Sequence, residues 1–427
     1  VLNTWSEGDH TLDATTTAFE SGSGSSQSNF TASAEGADLS IDVPMTNITF
    51  QYNASLFSGT SGSFAYLNDK VSGAGFHTCA IVDTGGVKCW GWDYFGQLGD
   101  GGSNTDLHVP PSTATSVYGS AVSITAGSYH VCVITHFGSL RCWGGNGFGQ
   151  LGYGTTTHTN VVPTSTVNFG TGRTVVAASA GHGHTCAILD NGDLKCWGSD
   201  NIGQLGDGGT STSSTYTSSP PATPIDLGTG RTAVAVSAGG FHTCAILDNG
   251  DVKCWGRDNY GQVGDGGTST SSTYTSSPPA TPIDLGTGRT AVAVSAGGSH
   301  TCAILDNGDV KCWGLDFRGQ LGDGGTSHSL STIRTSPPAT PVDLGVGRTA
   351  VAVSAGGSFT CAILDNGSMQ CWGADNYGEL GDSVSLSHQY SPVSVAGNTA
   401  WDSSTGSGGM TNVTGASCSI SPSLPAG

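Results

Sequence analysis

The 427-residue sequence has few charges and no long apolar run. Charged residues make up 11% of it, and no stretch approaches the roughly 18 consecutive apolar residues that a membrane-spanning helix needs. Apolar residues also do not recur at the spacing of an amphipathic helix. In place of these features the chain has 68 glycines. This composition predicts an all-β protein of short strands and turns, without membrane insertion in this segment.

Motifs for catalysis and for cofactor binding are also missing. The sequence has no nucleophile elbow, no His-Glu-x-x-His and no phosphate-binding loop. The net charge is −19, from 32 acidic and 13 basic residues, and an acidic surface repels a phosphate backbone. We therefore expect a protein that is not an enzyme, needs no cofactor and does not bind nucleic acid.

Thirteen cysteines stand out against this background. Twelve of them form six pairs with the same spacing, in which the second cysteine follows ten residues after the first. The pairs are Cys79/Cys89, Cys132/Cys142, Cys186/Cys196, Cys244/Cys254, Cys302/Cys312 and Cys361/Cys371. Cys418 is left unpaired by this scheme.

Each pair encloses the signal of a tight β-hairpin. Between Cys244 and Cys254, apolar residues flank Asp248-Asn249-Gly250, and a three-residue turn that ends in glycine places the two cysteines opposite each other. All six pairs have glycine at this position. We predict six disulfides within hairpins, and zinc ligation or reduced thiols are the alternatives. Disulfides imply an oxidising compartment, so we expect an extracellular protein, secreted or at the cell surface.

The hairpins belong to a longer repeat, since the first cysteines of successive pairs are 53 to 59 residues apart. Within one repeat the pattern predicts four strands, at 233–237, 243–247, 252–255 and 281–285. Four strands at this period are typical of a propeller blade. Residues 186–243 and 244–301 differ at five positions only, 194/252, 199/257, 202/260, 205/263 and 241/299. Such near-identical blades favour a scaffold or a multivalent binder over a catalytic site.

The repeat resembles that of the RCC1 (regulator of chromosome condensation) family. The resemblance rests on Ser295-Ala-Gly-Gly-Ser-His-Thr-Cys-Ala-Ile-Leu305 and Trp313-Gly-Leu-Asp-Phe-Arg-Gly-Gln-Leu-Gly322, and it extends over about residues 71 to 397. It implies a β-propeller at 68–397. Family propellers have seven blades, so a seventh blade here would be assembled from the flanks.

The founding member is an exchange factor for the GTPase Ran and binds chromatin, while other relatives are secreted bacterial inhibitors of β-lactamase. The missing basic tail and the paired cysteines argue against nuclear exchange activity.

The flanks differ from the repeats. Residues 1–67 have strand-like alternation at Leu39, Ile41 and Val43, and we expect a β-rich flank, with an immunoglobulin-like module as the candidate fold. Residues 398–427 form a linker or strand, in which the segment 417–425 resembles the opening of an immunoglobulin-like surface module. Cys418 would then pair beyond Gly427 or with another chain.

Met410-Thr-Asn-Val-Thr414 echoes Met45-Thr-Asn-Ile-Thr49, which suggests a fibre built by strand addition between chains. The alternative is two linkers of a longer multidomain protein.

Two aromatic residue types recur at fixed positions beside the cysteines. A histidine precedes five of the six pairs, and we interpret it as a buried residue that hydrogen-bonds the neighbouring blade, as the family uses it, with a metal-binding ring as the alternative. A tryptophan follows each pair, and we interpret it as packing between blades, with sugar stacking as the alternative. The histidines are His77, His130, His184, His242 and His300, replaced by Phe359 in the sixth repeat. The tryptophans are Trp90, Trp143, Trp197, Trp255, Trp313 and Trp372.

Two kinds of surface site are also suggested. The Asp-Gly-Gly turns at Asp207 and Asp265 supply oxygen atoms that suit Ca²⁺, although turn chemistry alone explains them. Five N-glycosylation triplets occur, at Asn29, Asn47, Asn53, Asn366 and Asn412.

These patterns favour a non-enzymatic extracellular structural or adhesive protein. In this hypothesis the propeller is a rigid scaffold, and its partners are other copies of the chain or cell-surface proteins and glycans. The alternative is a binding module that recognises a protein or glycan through one propeller face. Variation between blades that is concentrated on one face would favour binding, and evenly spread variation would favour a structural role.

Overall fold

The computed structural model describes residues 70–209, 216–268, 274–325, 333–376, 378–383 and 388–396, together with the backbone of five short strands outside these ranges. All regular elements of the described residues are strands, which confirms the all-β class. No helix there is long and apolar enough to cross a bilayer. The chain divides into two compact units, Val1–Gly59 with Asp402–Gly427, and Thr60–Trp401. The domain limits expected at 67 and 398 lie outside the described residues.

The first unit contains five strands from both ends of the chain. Strands β1 (Leu2–Glu7), β2 (His10–Thr16) and β3 (Ser28–Ala32) form an antiparallel sheet in chain order. Strand β4 (Ile48–Thr49) pairs with β25 (Asn412–Val413), with Ile48 opposite Val413. The described residues of the two echoed segments, Ile48–Thr49 and Asn412–Val413, therefore pair within one chain. The alternation at 39–43 and Cys418 lie outside the described residues.

The second unit contains six antiparallel sheets, which we call blades 1 to 6. Blades 1 to 4 have three strands each, and blades 5 and 6 have a fourth. Blade 1 is β5 (Val71–Ala74), β6 (His77–Ile81) and β7 (Val87–Gly91), and blade 2 is β8 (Ala121–Ala126), β9 (His130–Thr135) and β10 (Leu140–Gly144). Blade 3 is β11 (Val175–Ala180), β12 (His184–Leu189) and β13 (Leu194–Gly198), and blade 4 is β14 (Ala233–Ala238), β15 (His242–Leu247) and β16 (Val252–Gly256). Blade 5 is β17 (Ala291–Ala296), β18 (His300–Leu305), β19 (Val310–Leu315) and β20 (Ile333–Arg334). Blade 6 is β21 (Ala350–Ala355), β22 (Phe359–Leu364), β23 (Met369–Gly373) and β24 (Gln389–Ser394).

The predicted fourth strand at 281–285 is wrong. In blade 4 the third strand is instead bridged by Thr275, which exchanges backbone hydrogen bonds with Gly256. Prolines at 278, 279 and 282 remove the N–H groups that a strand ladder requires. Ile283 still donates one backbone bond to Val252, and the side chains of Ile283 and Leu285 are buried. The segment therefore covers the blade without joining its sheet.

The six predicted disulfides are present, each across the hairpin of one blade. They join Cys79 to Cys89, Cys132 to Cys142, Cys186 to Cys196, Cys244 to Cys254, Cys302 to Cys312 and Cys361 to Cys371. Because all twelve sulfurs are bonded in pairs, the alternatives of zinc ligation and reduced thiols do not apply to them.

The hairpin geometry behind these bonds follows the predicted turn. Cys244 lies directly opposite Cys254, with the Cα atoms 4.0 Å apart. The turn closes through the Gly250 N–H, which donates to Leu247 O, and Gly250 has a φ of 81°. A Cβ there would lie 2.6 Å from the Thr290 side chain, so both conformation and space require glycine.

Successive blades pack through five hydrophobic clusters of the same composition. Each cluster joins the disulfide of one blade to the tryptophan of the next, for example Cys244 and Cys254 to Trp313. The first strands also touch at the centre, where Ala296 N donates to Ser237 Oγ at 2.9 Å. Within the described residues no such cluster joins blade 6 to blade 1. Trp90, on the side of blade 1 that packs against no other blade among the described residues, is only half-buried.

Candidate binding face

The cysteines singled out in the sequence belong to the core and not to an exposed site. Cys142, Cys196 and Cys312, on the third strands of blades 2, 3 and 5, are 0%, 2% and 1% exposed. The turn signal predicted which cysteine each of them bonds, but it carried no information on burial, which depends on the neighbouring blade. Their disulfides are therefore structural parts of the interblade clusters, out of contact with solvent or a ligand.

The repeated histidines form a ladder of hydrogen bonds between blades. His242 Nε2 lies 2.8 Å from Thr301 Oγ1, and that hydroxyl donates its single proton to Gln262 O. The histidine must therefore donate from Nε2, which leaves Nδ1 as a buried atom without a hydrogen-bond partner. Burial lowers the pKa of His242 to about 3, so the ring is neutral.

The same bond recurs at three more interfaces and confirms the interpretation of these residues as interblade histidines. His130, His184 and His300 contact Thr185, Thr243 and Thr360 at 2.8 to 2.9 Å. Among the residues with described positions, no three His, Cys, Asp or Glu side chains come together as metal ligands.

His77 is the exception, since neither ring nitrogen has a hydrogen-bond partner. The residue of blade 2 that corresponds to the accepting threonine is Val131, which has no hydroxyl. The first interface of the propeller thus contains a buried imidazole without its usual acceptor.

Replacing Val131 by threonine is expected to raise the free energy of unfolding by about 1 kcal/mol, because His77 gains an acceptor. The new hydroxyl can donate to Gln97 O, which already accepts from Trp143 Nε1. Urea denaturation measures the change, and Val131→Ala, which removes apolar contact without adding a hydroxyl, should be less stable than wild type. A V131T variant no more stable than wild type would contradict this account.

The repeated tryptophans pack between blades, as expected. Trp143, Trp197, Trp255, Trp313 and Trp372 are fully buried, and each indole donates to the backbone oxygen of a glutamine in the preceding blade. Gln262 O, for example, accepts from Trp313 Nε1 at 3.1 Å and from the Thr301 hydroxyl. Five of the six tryptophans are therefore structural, and the sixth, Trp90, is half-buried in blade 1.

The other surface residues singled out in the sequence have varied positions. Asp207 and Asp265 each accept the backbone N–H two residues ahead at 2.9 Å, so their turns use these carboxylates internally. Asn366 is exposed in its turn, where its Oδ1 accepts from the Ser368 hydroxyl at 2.7 Å. Asn29 and Asn412 lie in β3 and β25. Asn47 and Asn53 lie outside the described residues, and glycosylation stays a prediction.

One end of the blades carries a continuous row of aromatic side chains. It is formed by the loops after the first strands and the loops after the third strands, which leave the sheets on the same side. We call it the aromatic face, and it consists of Phe76, Trp92, Tyr94, Phe95, Tyr129, His182, Phe241, Arg257 and Tyr260. Phe76 and Tyr94 are 67% and 56% exposed. These rings are large apolar groups that the fold leaves in contact with water.

The rings contact one another from blade 1 to blade 4. Ring centroids are 5.5 Å apart for Phe76 and Trp92, 6.1 Å for Trp92 and Tyr129, and 4.9 Å for Tyr129 and His182. His182 continues the row to Phe241 at 5.4 Å. The row ends at Arg257, whose guanidinium lies 5.1 Å from the ring of Phe241 and 5.8 Å from that of Tyr260.

Comparison with known proteins identifies the family. The model of the RCC1-like domain matches residues 61–420. This chain belongs to the RCC1-like domain family. The RCC1-like chain is 28% identical over 329 residues to the Ultraviolet-B receptor UVR8 of Arabidopsis thaliana, covering 74% of this chain and 67% of that protein. It is 29% identical over 322 residues to the mitochondrial RCC1 domain-containing protein RUG3 of the same plant, covering 75% and 68%.

Solved structures agree with this RCC1-like fold. Prp20p from Saccharomyces cerevisiae superposes with a TM-score of 0.65 at 18% identity and covers 76% of both chains. Human WBSCR16 gives a TM-score of 0.64 at 22% identity, covering 76% of this chain and 81% of its own. At these identities the likeness establishes the propeller fold alone.

In this RCC1-like propeller, the two near-identical repeats diverge on the aromatic face. Two of their five differences, 194/252 and 205/263, are exchanges of buried leucine and valine. The other three are Ser199/Arg257, Ile202/Tyr260 and Phe241/Ser299, all in the loops that form this end of the blades. Ser199 and Ile202 are buried, while their counterparts Arg257 and Tyr260 are half-buried. The sequence contained these differences, but only the strand order shows that they share one end of the blades.

Proposed function

We propose that this chain is a non-enzymatic extracellular binding module, in which the disulfide-linked propeller holds a protein partner against the aromatic face. The observation that carries the proposal is the divergence of two repeats that are otherwise almost identical. Every non-conservative difference between them lies in the loops that carry this face, which is the pattern expected of a binding surface more than of a uniform structural body.

The composition of the face suits a protein partner. Tryptophan, tyrosine and arginine are the residues that dominate the energetics of protein–protein interfaces. Edge-to-face packing fixes several of these rings in advance, for example Tyr94 on Phe95 at 4.8 Å, so less conformational entropy is lost on binding.

The relatives support the same class of function. Prp20p was described together with its binding to Gsp1p and histones, and yeast RCC1 was solved bound to Kap60. The human ubiquitin ligase HERC2 is 27% identical over 309 residues, but the match covers 6% of that protein. Protein binding, as described for Prp20p, is thus the property that we transfer, and ligase activity is not.

The fibre hypothesis stays a prediction. Strand β4 pairs with β25 inside one chain, and the same antiparallel pairing made between chains would link subunits. An adhesive role is compatible with the proposed binding face, since both need a rigid body that presents one surface.

Serine at Phe76 and Tyr94 is expected to reduce binding of the full chain to its source cells at least tenfold. Serine already occupies the position of Phe76 in blades 5 and 6, as Ser299 and Ser358, so the fold accommodates it. The measurement is the saturation binding of fluorescently labelled chain to intact cells.

The matched control is Phe137→Ser, since Phe137 is equally exposed but lies in a hairpin turn at the other end of the blades. It should bind like wild type. Prior protease treatment of the cells should abolish binding. Equal binding by all three chains would contradict the proposal, and loss after periodate but not protease treatment would indicate a glycan instead of a protein.

A further inference from the structure

The thirteen basic side chains of this acidic protein are almost all engaged. Five occupy the same position in the third strands and donate to backbone carbonyls: Lys88, Arg141, Lys195, Lys253 and Lys311. Four arginines pair with the aspartate that opens a hairpin turn: Arg173, Arg231, Arg289 and Arg348. Arg334 pairs with Asp323. Lys70, Arg257 and Arg318 are the three basic residues that belong to none of these groups.

Arg257 and Arg318 are held in place without being neutralised. Arg257 donates from Nε to Asn259 Oδ1 at 2.7 Å and lies over two aromatic rings of the face. Arg318 contacts His388 Nε2 through Nη1 at 2.8 Å, and its guanidinium lies 5.5 Å from the ring of Phe317. Neither has a carboxylate or backbone carbonyl partner among the described residues. Both lie in the loop after the third strand, in the adjacent blades 4 and 5.

The aspartates adjacent to or near these arginines in sequence are buried, unlike the aspartates of the hairpin turns. Exposed aspartates such as Asp190, Asp248 and Asp306 lie in the hairpin turns, at the opposite end of the blades. The aspartates next to the two arginines in their loops, Asp258 and Asp316, are buried. Because these two carboxylates are buried, a partner that approaches the loops can reach the half-buried guanidinium groups of Arg257 and Arg318 but not Asp258 or Asp316.

Two exposed aspartates follow later in the same loops, and both already have partners. Asp265 and Asp323 each accept the backbone N–H two residues ahead through Oδ1 at 2.9 Å. Asp323 also pairs with Arg334, which neutralises its charge. Neither carboxylate forms an ion pair with Arg257 or Arg318 among the described residues, so both guanidinium groups are available to a partner.

We infer that Arg257 and Arg318 form a carboxylate-binding subsite that receives an acidic segment of the protein partner. The inference rests on the proposed function and specifies its ligand. A guanidinium binds a carboxylate through two parallel hydrogen bonds, and stacking on aromatic rings fixes its plane beforehand. The neighbouring rings then accept the apolar residues that flank the acidic side chains.

The repeats provide the test variants. Arg257→Ser restores the residue of blade 3 and Arg318→Tyr that of blade 4, so each substitution already exists in an equivalent loop. The full chain is measured by biolayer interferometry on immobilised poly-L-glutamate, poly-L-lysine and polygalacturonate. We expect wild type to bind poly-L-glutamate, with binding weakened by salt. The R257S/R318Y double variant should lose at least tenfold in affinity, while Arg231→Ser, at the opposite end, should not change.

The possible outcomes distinguish failure of the arginine subsite from failure of the proposed binding face. The inference would be overturned if the wild-type chain did not bind poly-L-glutamate, or if it bound polygalacturonate and neither of the other polymers. If the F76S/Y94S variant loses cell binding while the R257S/R318Y variant keeps it, the result supports the proposed binding face and contradicts the arginine subsite. Loss of cell binding in both variants, with retention in R231S, supports the inference.

Discussion

Acidification from pH 7 to pH 4 is expected to destabilise the propeller steeply, because five buried histidines have a lower pKa in the folded state than in the unfolded chain. Burial lowers the pKa of His77 and His300 to about 4. It lowers those of His130, His184 and His242 to about 3, against an ordinary value of 6.5. Below pH 6.5 the unfolded chain therefore binds protons that the folded chain does not.

The direction and the size of this loss of stability follow from the linkage between proton binding and folding. A histidine with a lowered folded pKa contributes its full stability above pH 6.5 and loses it as the pH falls toward 3 to 4. Within that pH range, each such histidine lowers the free energy of unfolding by about 1.4 kcal/mol for every pH unit of acidification. Asp316 opposes this trend, since burial raises its pKa to about 6, and the folded state then binds a proton that favours it below that pH. Five histidines outweigh this carboxyl.

Urea denaturation at pH 7, 6, 5 and 4, followed by tryptophan fluorescence, measures this loss. The sixth repeat supplies the control, because Phe359 occupies the histidine position there. His242→Phe should therefore fold, and its stability should fall by about 1.4 kcal/mol less per pH unit than that of wild type. A free energy of unfolding that stays constant between pH 7 and pH 4 would contradict the assignment of neutral buried histidines.

Loss of an interior disulfide is the second large effect. Replacing Cys244 and Cys254 together by alanine should lower the free energy of unfolding by about 3 kcal/mol from loop closure, and further through lost packing. Both sulfurs are buried in the cluster that contains Trp313, so their removal also leaves a cavity.

The disulfide of blade 6 is the matched control. Cys361 and Cys371 enclose a loop of the same length, but Cys361 is half-buried and no following tryptophan covers the pair among the described residues. Its double alanine variant should lose the loop-closure contribution and little more. Thermal and urea unfolding of the two variants give the comparison, and equal losses would show that the interblade cluster adds nothing.

Local patterns allowed the hairpins to be predicted from the sequence. The register of Cys244 opposite Cys254 follows from the turn between them, and the glycine at its end is required by positive φ. These features depend on a dozen contiguous residues, where turn chemistry decides the conformation. The family resemblance then supplied the blade order.

Features that depend on distant residues could not be predicted in the same way. The segment 281–285 alternates like a strand, but its neighbouring prolines prevent ladder pairing. Phe76 and Phe241 join one aromatic row although 165 positions separate them, because the blades bring corresponding loops to one side. The missing acceptor of His77 was visible as Val131 in the second repeat, but its meaning required knowing that the histidine reaches the next blade.

The most direct test of the account is hydrogen–deuterium exchange of the full chain with and without the protein captured from its source cells. Protection should appear in peptides covering the loops at 75–76, 92–96, 128–129, 182–183, 240–241 and 257–261, which form the aromatic face. The hairpin turns at 190–192, 248–250 and 306–308, at the other end of the blades, should exchange at unchanged rates. Protection confined to those turns, or spread evenly over both ends, would contradict a binding function for the aromatic face.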